Sequence, residues 1–231
     1  VISGKPVHLL SGSEKKKLPQ ENSLYIDIGA ADKAEALGLV SLGDRAVICG
    51  EYVETEEKIK SKAIDDRAGC AILLALLLEE SEYDFYATFT VQEEVGLRGA
   101  KTAAFSVAPD AAVVLEATTA ADIAEVDNAH RVCALGGGPT VSFMDRATVY
   151  DRDYYNAALS SGIKCQPKAA VAGGNNSGAV HLSRGGVRTL AISVPCRYIH
   201  SPSSVADKSD IENAYLLARY MINGICSGKI R

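Results

Sequence analysis

Two acidic doublets hold the chemistry most readily read from this chain: Asp65-Asp66 in S-K-A-I-D-D-R-A-G and Glu93-Glu94 in F-T-V-Q-E-E-V-G-L-R-G-A. Each stands at the edge of an apolar run, where a strand should hand over to a helix. Carboxylates gathered at such ends are costly unless a cation or a proton neutralises some of them. Glu116 follows the apolar run Ala111 to Leu115, and His200 follows a run that Pro195 closes. Carboxylate oxygen and imidazole nitrogen are ligands of hard or borderline divalent ions. A pair of such ions about 3.5–4 Å apart lowers the pKa of a water and polarises a scissile carbonyl. A nearby carboxylate that is not a ligand can then take the water's proton. Taken singly, each residue has a plainer reading. An acidic doublet before a helix caps it and meets its dipole favourably, Glu116 is a solvated loop carboxylate, and His200 is a turn residue. In open α/β sheets, however, active sites form beyond the carboxyl ends of strands. One sheet edge could collect all of these residues, and that convergence favours a dinuclear hydrolytic site.

The elements that must position them follow from periodicity and punctuation. Up to about residue 57 the pieces are short: a strand over Leu24–Ile28, a helix over Ala30–Leu37 ended by Gly38, and a strand over Arg45–Gly50. These indicate a small β-rich domain over residues 1–57, with the polar stretch Glu51–Lys62 crossing into a second domain over 58–231. There, Gly69–Glu80 is apolar almost all round and reads as a buried helix. Phe85–Val91, Ala111–Leu115 and Val187–Val194 read as strands, and Gly96–Phe105 as a helix. Ile211–Ile225 is an amphipathic terminal helix opened by Ser209 or Asp210. Alternation of strand and helix predicts an α/β fold with a mostly parallel central sheet and helices on both faces. Leu135–Pro139 and Ala172–Ser177 are glycine-rich loops. The first lacks the lysine and following helix of a phosphate cradle and reads as a turn.

The bulk properties exclude some classes. With 231 residues and 47% hydrophobic content, the chain can bury a real core. A net charge of −5 without any basic stripe argues against nucleic acid. No run reaches membrane-spanning length. Six scattered cysteines without a C-x-x-C read as reduced thiols of a cytoplasmic protein.

The segments G-K-P-V-H-L-L, L-Y-I-D-I-G-A, S-K-A-I-D-D-R-A-G-C, V-Q-E-E-V-G-L-R-G-A, F-M-D-R, A-G-G-N-N-S-G-A-V-H and V-P-C-R-Y-I-H-S-P occur in that order. Together they resemble the tetrahedral-type dinuclear metallo-aminopeptidases, peptidase family M forty-two, which includes glutamyl aminopeptidases and proteins once labelled cellulases. The resemblance implies a zinc-exopeptidase-like fold with a small dimerisation domain, inside which this chain begins. It implies that Asp65 bridges two metals, Glu94 and His200 complete one site, Glu116 binds the other metal, Glu93 is the general base and Asp66 orients its neighbours. It also implies a cis bond between Asp65 and Asp66.

This sequence departs from the pattern in two places. The family's early H-x-D element is absent, since none of His8, His130, His181 or His200 is followed by x-Asp. In Gly174-Asn175-Asn176-Ser177 the second asparagine, Asn176, occupies the position where the family usually has aspartate. The implied cofactors are two zinc or cobalt ions per complete subunit, and as few as one in this chain. The implied partners are peptides and further copies of the chain, as dimers or dodecamers. Two other readings stay open: a non-catalytic fragment or assembly subunit, and a glycosidase using a carboxylate pair.

Overall fold

The computed structural model of the chain describes residues 2–231. It divides into one unit ending at Ile48 and a larger unit, Cys49–Arg231.

In the first unit, β1 (Ile2–Ser3) and β2 (Tyr25–Ile26) form a single antiparallel pair. Short 3-10 turns lie between them. Helix α1 (Lys33–Leu39) opens on Asp32, whose side chain accepts from the Glu35 N–H, while Glu35 reaches back to the Ala31 N–H. Residues 45–50 carry no strand, and the unit is turn-rich where β-rich was expected. None of its described residues is buried, so among them there is no buried apolar core to hold longer ladders together.

The larger unit is built on seven strands: β3 (Val53–Glu54), β4 (Lys58–Ser61), β5 (Ala111–Thr119), β6 (Thr140–Val141), β7 (Gln166–Pro167), β8 (Arg188–Arg197) and β9 (Ser204–Asp207). The α/β class stands, but the pairing directions are mixed where a mostly parallel sheet was expected. The whole of β5 lies parallel along β8, and β7 is parallel to β6. β8 with β9, β9 with β4, β4 with β3, and β6 with β8 are all antiparallel. The reason is local. The turn after Tyr198 folds β9 straight back on β8, and segment 53–61 makes its own hairpin, so neither connection needs a crossover helix.

Helix α2 (Ile64–Leu78) is broken in its first turn by non-helical backbone angles at Asp65 and Asp66. It packs on β5, β8, β9 and helix α6 (Lys208–Cys226), and α4 (Arg152–Leu159) joins α6. Helix α3 (Arg98–Val107) packs with the single-turn α5 (Ser177–Val180). The core joins Leu190, Ile192 and Val194 of β8 to Ile72 and Leu76 of α2 and to Leu217 and Met221 of α6. β8 is covered on both faces, which is why it reads as a continuous apolar run.

Three local expectations are corrected. α2 is buried on one face only: Ile64, Ala68, Ile72 and Leu76 point inward at helical spacing, while Leu78 is 87% exposed. Phe85–Val91 pairs with no strand among the described residues, although Phe85 packs on the core. Finally, α6 is capped by Asp207, which accepts from the Ser209 N–H. Asp210 is instead buried and accepts from the Gly136 and Gly138 N–H groups, holding the 135–139 loop against α6. All six cysteines are free. No described helix is long and apolar enough to cross a membrane.

Candidate metal centre

The candidate centre is assembled from four chain segments. Asp65 and Asp66 sit at the break that opens α2, and the peptide bond between them is cis. The Asp66 carboxylate turns onto the helix start and accepts from the Gly69 N–H at 3.0 Å. A Cβ at residue 69 would lie 2.3 Å from Asp66 Oδ2, so the glycine of D-D-R-A-G is required by this close approach.

Glu93 and Glu94 occupy the turn before α3, where the Gly96 and Leu97 N–H groups donate to the Glu93 carbonyl. Gly99 lets that turn close, since a Cβ there would meet the Val91 carbonyl oxygen at 2.4 Å. Glu116 lies within β5 and is only 3% exposed. His200 lies in the turn between β8 and β9, with left-handed φ of 62°. Ala63 and Gln92, just before the Asp65-Asp66 and Glu93-Glu94 doublets, are also left-handed, at 54° and 60°. Such non-glycine conformations cost of order 1 kcal/mol and gather at functional sites.

These segments bring together two sets of donor atoms, each lying within 4.8 Å of one another: Asp65, Glu94 and His200, and Asp65, Asp66 and Glu116. Asp65 belongs to both. His200 Nε2 is 3.2 Å from Asp65 Oδ2 and 3.5 Å from Glu94 Oε1. The first set is open, with the His200 side chain 63% and that of Glu94 61% exposed. The second lies deeper, with Glu116 buried and Asp65 and Asp66 half-buried.

The electrostatics follow that division. Burial, and then the Glu116 charge, pushes Asp66 up to about 9 against the Gly69 N–H. Burial pushes Glu116 up to about 8, against the Asn176 N–H and with the charges of Glu93 and Asp65 adding to it. Asp65 is raised by burial and Glu94, with His200 opposing. Glu93 is raised by burial and by Glu94 and Asp65. Among the described residues none of these carboxylates pairs with a lysine or arginine; Asp65 and Glu94 instead face the His200 imidazole. Such a donor set suits a hard or borderline divalent ion, which would supply the missing positive charge.

Sequence reasoning missed what holds Glu116. The Asn176 N–H donates to its Oε1 at 3.0 Å, and Asn176 Nδ2 reaches Thr90 Oγ1 at 3.4 Å. The glycine-rich character of 172–177 marked a loop without marking this contact. His130 lies apart, paired with Asp127 at 2.8 Å.

A family model described as M42 glutamyl aminopeptidase matches residues 1–217. The chain belongs to this family. A relative from Acetivibrio thermocellus, assigned provisionally to the aminopeptidases, is 40% identical over 219 residues, which is 92% of this chain and 65% of the relative. The solved structure of an aminopeptidase from the archaeon Desulfurococcus kamchatkensis is 34% identical with a TM-score of 0.91, covering 100% of this chain and 66% of the other. The TET1 peptidase of Pyrococcus horikoshii, which can assemble into a tetrahedron or a large octahedral shell, is 29% identical with a TM-score of 0.77, covering 92% of this chain and 64% of that one. The chain thus spans about two thirds of the length of these proteins.

Proposed function

We propose that the chain carries the metal-binding and proton-transfer groups of an aminopeptidase that removes N-terminal residues from peptides. The observation that carries this reading is the position of Asp65, common to two donor sets on a chain of the M42 family. Asp65, Glu94 and His200 would hold one divalent cation, and Asp65 with Glu116 the other, zinc and cobalt both suiting these ligands. Asp66, engaged by the Gly69 N–H, orients its neighbours. When bound, the cations lower the pKa of water and polarise the peptide carbonyl.

Glu93 is the general base. It follows the strand-like segment 85–91 and is half-buried; that burial, and then the charges of Glu94 and Asp65, hold its proton affinity above that of a free glutamate. A carboxylate tuned upward takes a proton from water more readily at neutral pH. The proton then passes from the Glu93 carboxyl oxygen to the nitrogen of the leaving amine. Six free cysteines agree with a reducing, cytoplasmic setting. Leu18 (89% exposed) and Leu42 (101%) leave apolar surface on the unit ending at Ile48, and this supports self-association into dimers and higher assemblies.

Purified protein supplied with cobalt or zinc is expected to release aminoacyl chromophores. Glu93→Gln should abolish turnover while leaving cation binding intact; full activity in that variant removes the base assignment. Light scattering on the same preparation should give a mass of at least two chains, and a monomer contradicts self-association. A second reading, a non-catalytic subunit, is favoured by one observation: the Asp65–Asp66–Glu116 set contains no imidazole. Its mark would be one cation or none per chain with no turnover.

A further inference from the structure

Glu116 is the deepest of the candidate ligands, and its carboxylate is held by a backbone N–H of a loop rather than by its own strand. That loop is itself suspended from a buried polar chain. Asp145, 4% exposed, sits in the M-D-R turn and accepts the Ala147 and Thr148 N–H groups on Oδ1, each at 2.8 Å. Its Oδ2 accepts the Tyr150 hydroxyl at 2.5 Å. Burial and the Asp145 carboxylate raise the Tyr150 pKa, so the phenol stays protonated and its oxygen is free to accept. Asn175 Nδ2 donates to that oxygen at 3.0 Å, and Asn175 Oδ1 accepts the Ser177 N–H at 2.8 Å. The Arg146 N–H donates to the Gly173 carbonyl at 3.0 Å, fixing the loop's other end. Gly178 lets the loop lie close on this turn, since a Cβ there would be 3.1 Å from Ala147 Cβ. The loop is therefore gripped on both sides of Asn176, which hydrogen-bonds both Glu116 and Thr90.

From this geometry we infer that Asp145, Tyr150 and Asn175 are positioning residues: they fix the 173–177 loop so that Asn176 sets the Glu116 carboxylate and ties it to the segment leading into Glu93-Glu94. This rests on the proposed aminopeptidase reading only for its consequence at the cations. None of the three is a ligand candidate, and none stands in the two donor sets.

The test uses the full chain with Tyr150→Phe, which removes one hydroxyl, and Asn175→Asp, which keeps volume and the Ser177 bond but no longer donates to the phenol. Two readouts are taken: the Asn176 N to Glu116 Oε1 distance in cation-free crystal structures, and calorimetric titration with cobalt. The expected result is that this contact opens beyond hydrogen-bonding reach while the 3.2 Å His200–Asp65 contact stays. In the titration the equivalent held by Glu116 should weaken roughly tenfold and the one held by His200 should keep its affinity. Retention of the Asn176–Glu116 contact in either folded variant overturns the inference, even if thermal stability falls. Equal weakening of both cobalt equivalents with the contact intact overturns it as well. Should the unaltered chain take up no cobalt at all, the aminopeptidase reading fails, and the crystallographic distance still decides the positioning claim.

Discussion

Asp65 sits where an open, imidazole-containing half of the site meets a deeper, carboxylate-only half. Two carboxyl groups of that deeper half keep their protons. Asp66 at about 9 and Glu116 at about 8 hold them at neutral pH in the cation-free chain, whereas in the unfolded chain both groups release them near the ordinary carboxylate value. The folded state thus binds more protons, and stability falls as pH rises from about 4 through about 9. Melting followed in chelator should show this decline, and cobalt should flatten it while releasing protons on binding. A cation-free melting temperature independent of pH over that range contradicts these shifts. Asp65, Glu94, Glu116 and His200, which the structure brings together, stood out in the sequence because a carboxylate or imidazole is unusual beside an apolar run. The Asp145, Tyr150 and Asn176 contacts were not. The Asn176–Glu116 hydrogen bond joins positions 60 residues apart, and an asparagine or tyrosine in a polar loop carries no mark of its partner.

At the scale of elements, composition identified the helices and strands better than it identified their surroundings. The run G-C-A-I-L-L-A-L-L-L specifies a helix, yet only one of its faces meets β5, β8, β9 and α6. Because an all-apolar helix has no polar face, periodicity could not tell which side would be covered. Ile72→Ala or Leu76→Ala, at 2% and 5% exposure, should therefore cost about 2–5 kcal/mol in urea unfolding. Leu78→Gln, at the 87% exposed position, should stay within about 0.5 kcal/mol. A large loss at Leu78 would contradict the one-sided burial. Phe85–Val91 has the alternation and aromatic content of a strand, and exposure alternates along its first residues, but ladder hydrogen bonds depend on a neighbour that local sequence does not name. The sheet's mixed directions escaped for a related reason: alternation of elements suggested crossovers, while the short turn from β8 to β9 makes a hairpin. The α6 cap moved from Ser209 or Asp210 to Asp207 because the side chain of Asp210 serves the 135–139 loop.

At the scale of the molecule, the sheet gathers residues from positions 65 to 200 into one centre, and membership in the M42 family gives that centre its chemical setting. The hydrolytic reading was available from the residues alone, and the family sharpened it to release of N-terminal residues. The account depends on a cation on each side of Asp65. Anomalous diffraction at the cobalt edge from crystals of the cobalt-loaded chain tests this most directly. Two peaks are predicted, one bounded by Asp65, Glu94 and His200 and the other by Asp65 and Glu116. A map with no peak against Asp65, or with a peak on only one side of it, would contradict the account.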